Sequence, residues 1–396
     1  MKKIMILGAG VLQLPAIICA REMGLTVIAV DMDPAAVGFR YADICLPIST
    51  IDIPKAVEAA EKYRIDAVIT LASDMPMRTV AAVAEKLGLP GIDTETAIKA
   101  TDKIEMRRCL KAHNVPVPDF YEADSYESFE HAICNFSSEF IVKPADNSGS
   151  KGVYLVKDRF DKAEADNAYY FSKKYSRSGK IIVEEYMKGF EVSVEAFSIG
   201  KKVNILQITD KLTTGAPHFV EMGHSQPTQL PYNRVAQIKK ITEDAVTAIG
   251  IRDCPSHTEI MITDEGPKIV ELGARLGGDC ITTHLVPLST GIDMVKGLIK
   301  TALGETPDIL PRFSKGSAIR YLHSKRGILR KVYGTEAAMS SKGIKEVQIV
   351  KNEGTQIEDI SASGDRIGFV ISQDNNAAAA VKDCEEAMKK ITVVID

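Results

Sequence analysis

The first thirty residues admit few folds. Residues 3–7 (KIMIL) make an apolar run of strand length, and Gly8-Ala9-Gly10 makes a tight turn. Residues 14–23 carry a helical pattern entered through Pro15 and stopped by Gly24, and residues 26–30 (TVIAV) are a second buried strand closed by Asp31. Strand, turn, helix and strand at this spacing predict a parallel, doubly wound sheet. The pattern repeats at 67–71 and 77–87 before Gly88-Leu89-Pro90-Gly91 closes the unit, so an α/β domain is expected over 1–95. The G-x-G of the first turn, with Asp31 about 20 residues on, has the outline of a dinucleotide site. Gln13 stands where the third glycine belongs, however, and a turn that lets a helix pack on a sheet is the better reading.

With 396 residues, 45% hydrophobic and 26% charged, the chain is long enough for two or three soluble globular domains. Its net charge of -4 gives no electrostatic reason to expect nucleic acid or an anionic membrane surface. Seven dispersed cysteines without a C-x-x-C fit thiols in a reducing compartment, and a cytoplasmic protein is expected. Lys2, Lys3 and the apolar stretch to Ala20 imitate a secretory leader, but Gln13 and Pro15 interrupt it. No other stretch approaches the roughly 18 apolar residues of a spanning helix.

The chemistry is concentrated further on. In 141–153, IVKPADNSGSKGV, an apolar strand delivers Lys143 and breaks into a loop of Ser, Gly and Lys. Gly149 and Gly152 let a phosphate approach the backbone closely, while Lys143 and Lys151 supply charge. This is not a Walker loop, because no G-x-x-x-x-G-K-[ST] run is present. A helix begins at Asp102, with Glu105 as a capping-box partner. Lys103 in its first turn is electrostatically misplaced unless it faces an anion. Val115-Pro116-Val117-Pro118 forces an extended connection and suggests a hinge or a domain seam. Residues 211–231 are long, polar and without strong periodicity, which reads as a functional loop or lid. A hairpin over 257–262 and 267–272 sets Glu259 and Glu271 on adjacent strands, where two carboxylates repel unless a cation lies between them. Arg275 follows, flanked by small residues in GARLGGD. From 311 the chain is strand-rich again, with a helix over 376–390 and a last strand, as in a small α+β domain.

Taken together, Lys103, Lys143, the glycine-serine loop, the acid-rich stretch 184–191 and the paired glutamates 259 and 271 resemble the ATP-grasp superfamily. The motifs TDKLTTGAPHFVEMGHSQP, VELGARLGGD and IRYL to RIGFVIS are similar to its carboxylate-amine ligases typified by the L-amino acid ligases. The resemblance implies an ATP-grasp fold of mixed α/β and α+β type: a doubly wound pre-grasp domain (1–95), a grasp domain (96–310) and a small C-terminal α+β domain (311–396). It implies that Lys103 and Lys143 hold the α- and β-phosphates of ATP and that Ser148, Gly149, Ser150 and Gly152 cover the triphosphate. It places the adenine amine against Glu184, the ring against Glu185 and Met187, and the ribose on Glu191. Glu259 and Glu271 match the ligands of magnesium, with manganese as the alternative ion. Arg275 matches a catalytic arginine that meets the transferred phosphate or the substrate carboxylate, and Glu221 and His224 resemble residues lining the amino-substrate pocket. Gly273 departs from the family, since many members carry Asn there.

The implied activity joins a small-molecule carboxylate to an amine through an acyl phosphate, with neither nucleic acid nor membrane as partner and a homodimer compatible with the sequence. Rival readings are a formyl- or carboxyl-transferring step on a purine precursor, against which the 209–227 segment argues, an NAD-dependent oxidoreductase, and a nucleotide-sensing module.

Overall fold

A computed structural model describes residues 1–396. Strands Lys3–Leu7, Thr26–Val30, Ile44–Leu46 and Ala67–Ile69 form a parallel sheet in which Thr26–Val30 and Ala67–Ile69 flank Lys3–Leu7. Because strand side chains alternate, this sheet feeds two cores. Met5, Leu7, Ile28 and Val30 pack with helices Ile53–Tyr63 and Met77–Leu87. Ile4, Ile6, Val27 and Ala29 pack with helix Leu14–Glu22. That second face is completed by helix Met294–Ala302, whose residues 294, 295, 298, 299 and 302 recur at helical spacing. A segment from beyond the grasp strands therefore finishes the core of the N-terminal sheet.

An antiparallel sheet of eight strands forms the platform of the molecule. Its order runs Gly266–Gly273, Cys254–Thr263, Phe190–Ile199, Lys202–Thr213, Glu221–Gln226, Gly316–Leu322, Gly368–Asp374 and Ile344–Ile349. The sheet passes position 311 without a break, since Gly223 pairs with Arg320 and Gln226 with Ser317. The C-terminal residues thus extend the central sheet, and helix Ala377–Met388 covers that extension through Ala380, Cys384 and Ala387. A smaller four-stranded sheet, Phe120–Ala123, Ile181–Glu185, Phe140–Pro144 and Tyr154–Val156, lies under helices Tyr126–Ile133 and Lys162–Tyr175.

Three local expectations change. Residues 211–231 are not one lid: Lys211 to Thr213 continue strand Lys202–Thr213, and Glu221–Gln226 is its antiparallel neighbour inside the sheet. The apolar period is missing because Gly223, His224, Ser225 and Gln226 are buried among polar partners, not against an oily core. The segment at 115–118 is no free hinge, because the Pro116 carbonyl accepts from the Ile269 amide at 2.9 Å. The capping box at Asp102 is one-sided: Asp102 accepts from the amides of Ile104 and Glu105, whereas Glu105 turns to Arg108. In the first glycine turn, Gln13 fills the space above Gly8 and donates to the Leu71 carbonyl at 2.7 Å, and Asp31 accepts from the Ala9 amide. That turn is packed by side chains of its own chain. No helix is long and apolar enough to cross a membrane.

Because helix Met294–Ala302 completes the N-terminal core, Ile299→Ala is expected to destabilise both units together by about 2–5 kcal/mol. Scanning calorimetry should show one transition moved to lower temperature.

Candidate active site

The site begins with a helix that carries two cations on one face. In Lys103–Ala112, residues 103 and 107 are four apart and therefore stacked. The Lys103 ammonium donates to Glu271 at 2.8 Å and to the Asn147 carbonyl at 2.7 Å. One turn on, fully buried Arg107 donates from Nε to Glu184 at 2.7 Å and from Nη2 to the Val270 carbonyl at 2.7 Å. Lys143 pairs with the other oxygen of Glu184. Burial works against the Glu184 charge, but Arg107 and Lys143 outweigh it and hold the carboxyl below its usual range. Each Glu184 oxygen thus carries one cation, and lone pairs on both remain to accept further donors from the cleft that Glu184 lines.

Glu259 and Glu271 stand directly opposite across the hairpin. Like charges so placed destabilise a sheet. Here each carries its own ammonium, Lys103 on Glu271 and Lys211 on Glu259 at 3.0 Å. Lys211 also reaches Glu191 at 2.5 Å and Glu221 at 3.6 Å. Burial opposes the charge on Lys211, yet the three carboxylates raise it well above the ordinary lysine value. Burial likewise opposes the Glu259 charge, and Lys211 and His257 override it to hold that carboxyl well below its usual range. Lys211 escaped the sequence reading because it lay in the stretch taken for a lid. The signal was present in alternation: Thr209 and Lys211 are buried on one face of the strand while Leu212 points out.

One cleft gathers most of the expected residues. Lys103, Lys143, Ser148, Ser150, Glu184, Glu185, Met187, Glu191, Glu259 and Glu271 all line it, together with Lys211 and Phe219. Gly149 and Ser150 take left-handed conformations in the loop above. Gly152 lies beneath that loop, where an added Cβ would stand 2.7 Å from Pro144 and 2.8 Å from Tyr175. Glu185 is paired with Lys268 at 3.0 Å.

A second cavity adjoins the first and shares Ser148, Ser150, Lys151, Lys211, Glu221, Glu259 and Glu271 with it. Its further lining includes the expected Gly149, His224 and Arg275, together with Asp74, His257 and Asp279. Arg275 is clamped by Asp74 from the N-terminal unit through two bonds of 2.9 Å. The clamp lies against Gly273: a Cβ there would stand 2.8 Å from the Asp74 carboxylate and 3.2 Å from Arg275 Nε, so a side chain at 273 would require this ion pair to shift. Asp74, His257 and its buried partner Glu195, at 2.6 Å, were not singled out from the sequence.

The two opposed carboxylates are hard oxygen donors of the kind that suits a magnesium ion. No group of three or more His, Cys, Asp or Glu side chains with ligand spacing is present. The other ligands of such an ion would come from phosphate oxygens and water, the usual arrangement for magnesium.

Comparisons with known proteins find similarity along the chain. The family model described as ATP-grasp domain matches residues 136–283, and L-amino acid ligase C-terminal domain 2 matches 320–396. Uncharacterized protein y4rH of Sinorhizobium fredii is 28% identical over 325 residues, covering 82% of this chain and 67% of that protein. A phosphoribosylamine–glycine ligase of Methanococcus maripaludis is 24% identical over 372 residues, 86% of this chain and 82% of the other. The crystal structure of L-amino acid ligase from Bacillus licheniformis superposes with a TM-score of 0.85 at 22% identity, covering 100% of this chain and 99% of that one. At that identity the likeness shows a shared fold.

Two expectations follow from the site. Lys211→Met leaves three carboxylates without their shared cation, so urea unfolding should show a loss of about 3–5 kcal/mol. Asp279, held by Arg366 at 2.7 and 2.8 Å, has its carboxyl pushed below the ordinary 3.8 because those bonds outweigh burial. A depressed carboxyl stabilises above its unfolded value and loses that contribution as pH falls through the folded one. The gap in unfolding midpoint between wild type and Asp279→Asn should be full at neutral pH and close progressively below about pH 3.8.

Proposed function

The chain belongs to the ATP-grasp ligases, and from that premise we propose that it activates an amino-acid-like carboxylate as an acyl phosphate and joins it to an amine, releasing ADP and phosphate. The observation that carries this reading is the convergence of Lys103, Lys143, Glu191, Glu259 and Glu271 on one cleft under the 147–152 loop, with a second polar cavity opening beside it.

A carboxylate is a poor electrophile, so one of its oxygens must become part of a leaving group. Its oxygen attacks the γ-phosphorus of ATP, the bond to ADP breaks, and the acyl phosphate results. The amine nitrogen then attacks the acyl carbon, the carbon–oxygen bond to phosphate breaks, and the nitrogen loses a proton as the amide forms. Lys103 and Lys143 would hold the phosphates, the loop over Ser148, Gly149, Ser150 and Gly152 would cover them, and Glu191 would take the ribose. Glu184 would face the adenine amine, and Glu185 and Met187 would border the ring through their backbone. Arg275 would meet the transferring group or the substrate carboxylate, and Glu221 and His224 would face the amine-side substrate.

Glu259 and Glu271 would hold magnesium, and the same oxygens suit manganese. A bound divalent ion supplies positive charge against the repulsion between carboxylate and phosphate. The active-site walls must also keep water from the acyl phosphate.

A second reading, ligation of a purine precursor, draws on the alignment with the phosphoribosylamine–glycine ligase. It differs mainly in the amine. The C-terminal match to the L-amino acid ligase domain favours an amino-acid amine. Both partners are then small molecules, and a cytoplasmic enzyme is the setting we propose.

ADP release measured over pairs of proteinogenic L-amino acids, with glycine plus phosphoribosylamine as a separate arm and products identified by mass spectrometry, tests the proposal. ADP formation with an amide product of two amino acids supports it, and turnover confined to phosphoribosylamine transfers it to the second reading. Glu271→Gln should lower turnover about a thousandfold while circular dichroism shows the fold intact. Near-normal activity in that variant would refute the role given to Glu271.

A further inference from the structure

The wall of the second cavity contains a strained step. Asp279 and Cys280 take consecutive left-handed conformations, φ 51° and 62°, immediately before the single π-turn Ile281–Leu285. Residues with a Cβ hold that conformation only where their surroundings impose it. The imposing groups come from the C-terminal extension of the sheet. Arg366 grips the Asp279 carboxylate through two bonds, and the Tyr321 hydroxyl donates to the Asp279 carbonyl at 3.0 Å. The Arg366 guanidinium lies 3.7 Å from the centre of the Tyr321 ring and is fixed from behind by the Ser363 carbonyl at 2.8 Å.

The same guanidinium reaches the other side of the wall. Arg366 Nη1 donates to the Glu221 carbonyl at 3.2 Å, and the Ser363 hydroxyl donates to the Glu221 carboxylate at 3.3 Å. The Asp279 carboxylate stands 3.5 Å from His224 Nε2. Glu221, His224, Asp279 and Ser363 all line the cavity, whereas Arg366 does not. A planar, always-charged fork can hold a carboxylate and a carbonyl at once in this way, and a lysine cannot.

We infer that Arg366 is a positioning residue: it ties the Asp279-Cys280 turn to the Glu221 strand, so that the C-terminal unit sets the shape of the amine-side wall without touching the substrate. The inference rests on the reading of the second cavity as the amine-side pocket. It assigns to the last part of the chain a share in substrate choice, through the wall that Glu221, His224 and Asp279 form.

The test compares Arg366→Gln and Arg366→Lys, each alone and combined with Cys280→Gly. Glycine adopts the left-handed conformation freely, so it relieves the strain that Arg366 is inferred to hold. With the L-amino acid pair that releases most ADP, Arg366→Gln should raise KM for the amine-side amino acid by about tenfold and KM for ATP by less than about twofold. Cys280→Gly in that background should recover roughly fivefold of the loss. Equal rises in both KM values, or no recovery from Cys280→Gly, would overturn the inference. Should Arg366→Gln fail to fold, hydrogen exchange on Arg366→Lys decides: faster exchange over 278–285 with unchanged exchange over 140–144 supports it, and uniform change overturns it. If no amino-acid pair turns over, the ligase proposal falls by itself. The exchange pattern and MgADP binding by calorimetry still judge Arg366, with unchanged MgADP affinity the supporting result and a weakened one the refuting result.

Discussion

The organisation of the molecule depends on one electrostatic arrangement: two carboxylates facing each other on neighbouring strands, each neutralised by an ammonium from a different part of the chain. Glu259 and Glu271 would repel across the hairpin if left alone. Lys103 arrives from the helix that follows the N-terminal unit, and Lys211 from a strand two places along the sheet from the hairpin strand Cys254–Thr263. Lys103 also holds the Asn147 carbonyl, so the glycine-serine loop is tethered to the acidic hairpin. Arg107, one turn further on the same helix, repeats the device with Glu184 and Lys143. A single helix thus braces the small sheet against the large one through two ionic contacts about one turn apart.

Segments from the start, middle and end of the chain meet at the site. Asp74, on the loop after the last strand of the parallel sheet, clamps Arg275 in the grasp segment, and the pair occupies the room a side chain at 273 would need. From the opposite end, Arg366 and Tyr321 hold the turn that closes the second cavity. The buried ionic contacts are costly to desolvate, and their geometry, with several hydrogen bonds to each charge, offsets that cost. They fix where the cavities lie, while the hydrophobic clusters on both faces of the N-terminal sheet supply the bulk of the stabilisation.

Much of this was legible beforehand. The strand over 3–7, the helix Met77–Leu87 and the acidic hairpin follow from local pattern, since alternation and turn chemistry act between residues close in sequence. The polar stretch at 211–231 failed for the converse reason. Its strands are stabilised by partners on either side in the sheet and by carboxylates some tens of residues away, so no hydrophobic period marks them. Lys211 is the sharpest case, because a lysine in a polar run is ordinarily a solvated one. Glu184 was legible as a cleft residue but not as a carboxylate already taken by Arg107 and Lys143.

By itself, the order of residues determined the parallel N-terminal sheet, the break of a strand into a glycine-serine loop and the placement of two glutamates opposite each other, because each depends on backbone preference and neighbours within a few positions. Only the folded arrangement decided which cation meets which acid, what lies beside position 273, and that a residue from the far end of the chain lines the second cavity. Those outcomes turn on side chains brought together from up to 201 positions apart, as with Asp74 and Arg275. Coulombic and steric terms depend on distance in space, which a linear pattern does not carry.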